Sequence, residues 1–255
     1  MGCIAIARLS ILETLRRKEF YVVFALVTCL AVWMQLANLG ASGAGRFAKD
    51  IIMQVTWLAS FALATPLAAR QIASDLEQKT VYVLMSRPIH RWHYVFGRAI
   101  GASLASVICF TIMYLVLVTM LLVKGANAIT DPCLWQAYAL QVVALVMLCS
   151  LAVFFSSFST PAGAITFSFL LLVLMRYGGP SMLKQIEAIP GIVRDFMWAA
   201  YLVFPHFEFF NMSQRVVHNW GPLPSMLFAQ VLLYGIAYSI FIVASAALVF
   251  RKRWL

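Results

Sequence analysis

Six apolar runs constrain this chain more than anything else in it: residues 20–39, 51–69, 94–123, 134–157, 163–179 and 227–250. A helix needs about 20 mostly apolar residues to cross a hydrocarbon core. Backbone polar groups in that core must be satisfied within the spanning structure, which restricts it to helices and closed barrels. The runs are continuous and long where barrel strands would be short and alternating, so they predict helices. Only 11% of the 255 residues are charged, against about 25% in a soluble domain. The chain therefore reads as an all-α integral membrane protein of six transmembrane helices, one domain over residues 1–255.

Lysine and arginine orient it. One side carries Arg8, Arg16, Arg17, Lys18, Arg70, Lys79, Arg87, Arg91, Arg98, Arg251, Lys252 and Arg253. These are twelve of the nineteen basic residues, and the other side holds five of the nine acids. The basic-rich side is cytoplasmic, so both termini lie inside. The net charge of +10 is thus a topology signal. No basic stretch is long enough to track phosphates, and nucleic acid is not expected as a partner.

Two regions outside the spans have their own pattern. Over residues 4–19, Ala5, Leu9, Leu12 and Leu15 share a helical face, with Arg8, Glu13, Arg16 and Arg17 elsewhere. That predicts an interfacial helix along the inner leaflet, its basic side chains reaching the headgroups of membrane lipid; a plain basic flank of the first span is the alternative. Residues 180–226 open with Pro180, then Met182, Leu183, Ile186 and Ile189 at helical spacing, and break at Pro190-Gly191. A second run, Ile192 to Phe204, leads into Pro205-His206-Phe207-Glu208-Phe209-Phe210. Two short external helices that dip into the outer leaflet fit this pattern. A hairpin of two further spans would leave the termini on the same side and remains open.

The residues exclude several chemistries. Gly40-Ala41-Ser42-Gly43 matches the serine motif of rhomboid proteases. That chemistry needs a histidine base on a later span, and His90, His93, His206 and His218 all stand in loops or at span ends. His90 and His93 have no acid or cysteine at ligand spacing. Cys3, Cys29, Cys109, Cys133 and Cys149 show no CxxC or Cys/His spacing, so neither disulfides nor zinc are indicated. The apolar cores carry no ionisable residue except near their ends, which argues against coupling through a buried carboxylate. A phosphate-binding loop needs Gly-Lys-Ser/Thr; Lys79 precedes Thr80 but follows Gln78. No catalytic, cofactor-binding or metal-binding residue is expected.

The loop from about 70 to 93 supplies the specific signal. It holds Asp75 and Glu77, then Thr80, Leu84 and Ser86, then Arg87-Pro88-Ile89-His90-Arg91. Together with the topology, it resembles the type-2 ABC export permeases: an acidic cluster, Thr, a short helix, and a Pro-Ile/Val-x-Arg element opening the third span. That family often has Gly where this chain has Lys79. The resemblance implies a permease subunit in a bacterial inner membrane, paired with a second permease copy or homologue. It implies cytosolic ABC ATPase subunits as partners, with ATP and Mg held there and not here. It implies that Asp75, Glu77, Thr80, Leu84, Ser86, Arg87, Pro88, Ile89 and Arg91 transmit force from the ATPase, with Arg16 and Arg17 in the same platform. Asp75 and Glu77 would pair with a partner's basic groups or with Arg87 and Arg91. Phe204, Phe207, Phe209 and Phe210 form a candidate external gate. Spans without ionisable groups suit a hydrophobic or amphipathic cargo. A membrane scaffold rearranged by an ATPase, a membrane-embedded lipid-modifying enzyme, and a channel or secondary carrier are the alternatives.

Overall fold

A computed structural model describes residues 2–15, 44–77, 91–123, 131–179, 191–218 and 220–252, with isolated positions 21, 25, 29, 181, 182 and 186. The described residues are helical and contain no strand. The elements are α1 (Gly2–Leu15), α2 (Ala44–Glu77), α3 (Arg91–Val123), α4 (Pro132–Ser156) and α5 (Pro161–Val173). A π-helical turn, Leu174–Gly178, extends α5. Then follow α6 (Ile192–Val203), a 3-10 turn (Phe207–Phe210), α7 (Ser213–His218) and α8 (Ser225–Lys252).

Helix starts are written locally. Asp131 accepts a hydrogen bond from the Cys133 N–H at 3.0 Å, and Pro132 fills the first helical position of α4. Thr160 caps α5 in the same way, its hydroxyl accepting from Gly163, with Pro161 next. Each cap satisfies an otherwise orphaned donor, and proline loses nothing at the first turn.

Four helical stretches are long and apolar enough to cross a membrane: Trp92–Thr119, Pro132–Ser156, Pro161–Gly178 and Ser225–Arg251. They match four of the six expected runs. The expected run 51–69 lies inside α2, which continues as helix well beyond it at both ends. The expected run 20–39 lies almost wholly outside the described residues.

α4 is the central helix, packed by α2, α3, α5 and α8. Its inward positions include Ala137, Leu140, Ala144, Leu148 and Ala152, all fully buried. Alanines on the facing helices, Ala64, Ala68, Ala102, Ala164 and Ala246, let the backbones approach closely. Helical hydroxyls turn back onto their own chain. Ser106 donates to the Ala102 carbonyl at 2.8 Å, Ser168 to Ala164 at 2.7 Å and Ser239 to Gly235 at 2.7 Å. Such bonds keep a polar group satisfied where water is absent. α8 in contrast leaves Met226, Leu233, Ile240 and Phe241 exposed, an apolar outer surface suited to lipid.

α1 lies along the start of α3. The face it docks is Ile6, Ala7 and Ser10, all buried, whereas Leu9 is exposed. Of the expected stripe, Leu9 therefore points outward, and the burial of Ala5, Leu12 and Leu15 lies outside what is described. The approach is close because Gly101 lacks a side chain: a Cβ there would stand 2.5 Å from the Ser10 Cβ and 2.9 Å from the Ala7 carbonyl oxygen.

Candidate functional site

One end of the helical bundle converges on Arg98, which is 3% exposed. It stands two turns into α3. Tyr94 and Arg98 are four apart on α3, and Gln71 and Asp75 are four apart on α2, so each pair shares a helix face. Where the faces meet, Arg98 donates to the Gln71 carbonyl oxygen at 2.8 Å and to the Asp75 carboxylate. Tyr94 donates to the same Asp75 oxygen at 2.5 Å. From the other side α1 brings Ser10 Oγ and Glu13 Oε2, each 3.1 Å from Arg98 Nη1. Arg98 also stands 5.9 Å over the Tyr94 ring.

Two further contacts close the collar. The Ala73 N–H on α2 donates to Ser156 Oγ at the end of α4, 2.8 Å away. The Tyr94 ring packs against Phe250 of α8, centroids 5.5 Å apart. The ends of α1, α2, α3, α4 and α8 are thus tied together. Buried polar networks rigidify the elements that contribute to them, and here both terminal nitrogens of Arg98 are bonded while its Nε has no partner.

The sequence-derived residues fall as follows. Asp75 is buried and is bound by Arg98 and Tyr94. Glu77 is exposed at the last position of α2. Arg91 is the first residue of α3. Thr80, Leu84, Ser86, Arg87, Pro88, Ile89, Arg16 and Arg17 lie outside the described residues. Arg98, Tyr94, Gln71, Ser10 and Glu13 were not singled out in sequence. Their one local signal is polar groups spaced by four at the ends of apolar helices.

Residues 201–234 carry an aromatic cluster away from the Arg98 collar. Phe207 and Phe210 are fully buried, while Phe204 and Phe209 are 40% and 50% exposed. Tyr201 donates to Glu208 Oε1 at 2.6 Å, and His206 Nδ1 meets the Tyr234 hydroxyl at 3.0 Å. His206 stacks on Phe209 with centroids 5.3 Å apart. Burial pushes the His206 imidazole below its ordinary value, and Glu208 opposes that shift. Burial and the Glu208 hydrogen bond both push the Tyr201 phenol up. His206 and Glu208 therefore take tyrosine partners instead of each other. Among the described residues, no three His, Cys, Asp or Glu gather as they would around a metal.

α6, between the two ends of this segment, exposes Val193, Phe196, Met197 and Val203 at helical spacing. Elsewhere, a cavity of about 320 Å³ opens between α3, α4 and α8, lined by Phe96, Ile100, Leu104 and Val146 with Ser103 and Ser150.

A protein-family profile matches residues 14–253, nearly the whole chain. The chain belongs to DUF2705, a family of proteins of unknown function. The DUF2705 match takes in Gln71, Asp75, Tyr94, Arg98 and the whole aromatic cluster; Ser10 and Glu13 lie just ahead of it. No curated protein matches the chain.

Proposed function

We propose that this DUF2705 protein is an integral membrane protein of six spans and the permease subunit of an ABC-type exporter. Both termini face the cytoplasm, and α1 lies in the inner leaflet interface with Leu9 toward lipid. α6 lies in the outer leaflet, its stripe of Val193, Phe196, Met197 and Val203 against acyl chains. ATP is hydrolysed by a separate cytosolic subunit that holds the nucleotide and Mg.

The observation that carries the reading is the collar around Arg98. A permease with no nucleotide site must receive its force by contact. The segment 78–90 is flanked by α2 and α3, and Arg98 binds the end of one to the start of the other and both to α1. A push on that segment is then delivered to three helices together, as rigid-body switching requires. The apolar cavity between α3, α4 and α8 supports a hydrophobic or amphipathic cargo. The exposed rings of Phe204 and Phe209 are the gate candidates, because Phe207 and Phe210 are core residues.

The test is a detergent pull-down of the tagged full chain from its native membrane, with partners identified by mass spectrometry. A near-stoichiometric ATPase, lost when residues 80–91 are replaced by a Gly/Ser linker, is the expected result. Recovery of the chain with no ATPase, under conditions that preserve other membrane complexes, refutes the reading.

A further inference from the structure

Arg176 stands in the π-helical turn Leu174–Gly178 and is 6% exposed. Its guanidinium lies 5.1 Å over the Trp57 ring and 5.6 Å over the Phe61 ring, both rings buried. Neither terminal nitrogen, Nη1 nor Nη2, has a hydrogen-bond partner, and the same is true of the buried Trp57 Nε1. Native interiors leave few buried polar atoms unpaired, and each such case needs an explanation. Here three N–H-bearing nitrogens are unpaired around one aromatic box.

The charge is also uncompensated. The ion pairs among the described residues join Arg98 to Glu13 and Asp75, and Arg194 to Asp195; none involves Arg176. Asp50 lies on the same face of α2, but seven residues from Trp57, about 10 Å along the axis. Glu208 is engaged by Tyr201 and sits beside Gly179. The exposed Tyr177 phenol bears on Arg176, with a side-chain hydrogen bond to it, but as a neutral group it leaves the charge unbalanced and Nη1 and Nη2 unpaired. A buried cation is stable only when paired or hydrogen-bonded, and rings satisfy it in part. π-helical turns in α-helices are frequent at functional sites because they re-aim a side chain.

We propose that Arg176 and Trp57 bind an oxyanion, a phosphate or carboxylate group, at this end of the bundle. The guanidinium offers two parallel donors to such a group, and the indole N–H adds a third. The oxyanion is the headgroup of an anionic amphiphile or a free anion. The site is independent of the transporter reading, because it needs neither an ATPase nor a second copy.

The experiment uses the full chain in neutral detergent and in nanodiscs. Binding is read by native mass spectrometry and by thermal melting, with phosphatidylglycerol, phosphatidylcholine, inorganic phosphate and acetate as probes. The expected result is preferential retention of phosphatidylglycerol over phosphatidylcholine, or saturable stabilisation by phosphate or acetate. The first outcome assigns the site to a headgroup and the second to a free anion. Affinity falls at least about fivefold in Arg176→Gln and is unchanged in Arg194→Gln, whose side chain is exposed on α6. Trp57→Phe keeps the ring and removes only the N–H; it weakens binding less, and it carries the test if Arg176→Gln does not fold. Absence of anion preference in the wild type, or affinity unchanged in either site variant, overturns the proposal.

Discussion

Replacing Arg98 with methionine tests whether the collar is a single mechanical unit. The substitution keeps most of the side-chain stem and removes every donor. Asp75, with 11% of its side chain exposed, then loses its Arg98 ion pair while still buried. Stranding one member of a buried pair costs about 3–5 kcal/mol. The Glu13 contact adds little, since 44% of that side chain is exposed, and such pairs contribute about 0.2–1 kcal/mol. Asp75→Asn in the same chain removes the stranded charge, and neutral replacements of buried pairs are often close to isoenergetic. The double variant is therefore expected to be more stable than Arg98→Met alone, with a coupling of about 2–3 kcal/mol. Reversible unfolding of the full chain in mixed SDS micelles gives the four corners of the cycle. A loss below about 1 kcal/mol in Arg98→Met, or single effects that add within about 0.5 kcal/mol, refutes the network.

The aromatic cluster gives two further predictions. Phe207→Ala removes a fully buried ring and is expected to cost about 3–5 kcal/mol; Phe209→Ala, at a half-exposed ring, should stay within about 0.5 kcal/mol, and thermal melting distinguishes them. The second concerns pH at His206, which faces Tyr201, Glu208 and Tyr234. Its folded value lies below that of a free histidine, near 6.5, so the unfolded chain binds more protons. The stabilisation is whole above that unfolded value and is lost as pH falls through the lower, folded one. Melting at pH 7.5 and 5.0 should show a larger acid loss in the wild type than in His206→Gln, and equal losses would count against it.

Much of the architecture could be read from local pattern. The apolar runs 94–123, 134–157, 163–179 and 227–250 reappear as α3, α4, α5 with its π-helical turn, and α8, each boundary within three residues. The second external run, from Ile192 to Phe204, is α6 over Ile192–Val203. Hydropathy sees apolar length and not helix length, so it stopped at 69 while α2 continues through Gln71 and Asp75. That is where the collar begins. The Arg98 partner of Asp75 is reached because two helices place their i and i+4 faces against each other, and no window along one segment contains that information. The buried aromatic box at Arg176 was hidden for the same reason: Trp57 and Phe61 belong to a helix more than a hundred residues earlier.

The docking of α1 has a consequence for how the chain is made. Ser10 and its partner Arg98 are 88 residues apart. At about 5–20 residues per second, α1 waits roughly 4–18 s for the helix that receives it. During that interval its docking face of Ile6, Ala7 and Ser10 is not covered by α3. That face is open to chaperones and proteases until the arrival of α3 closes it.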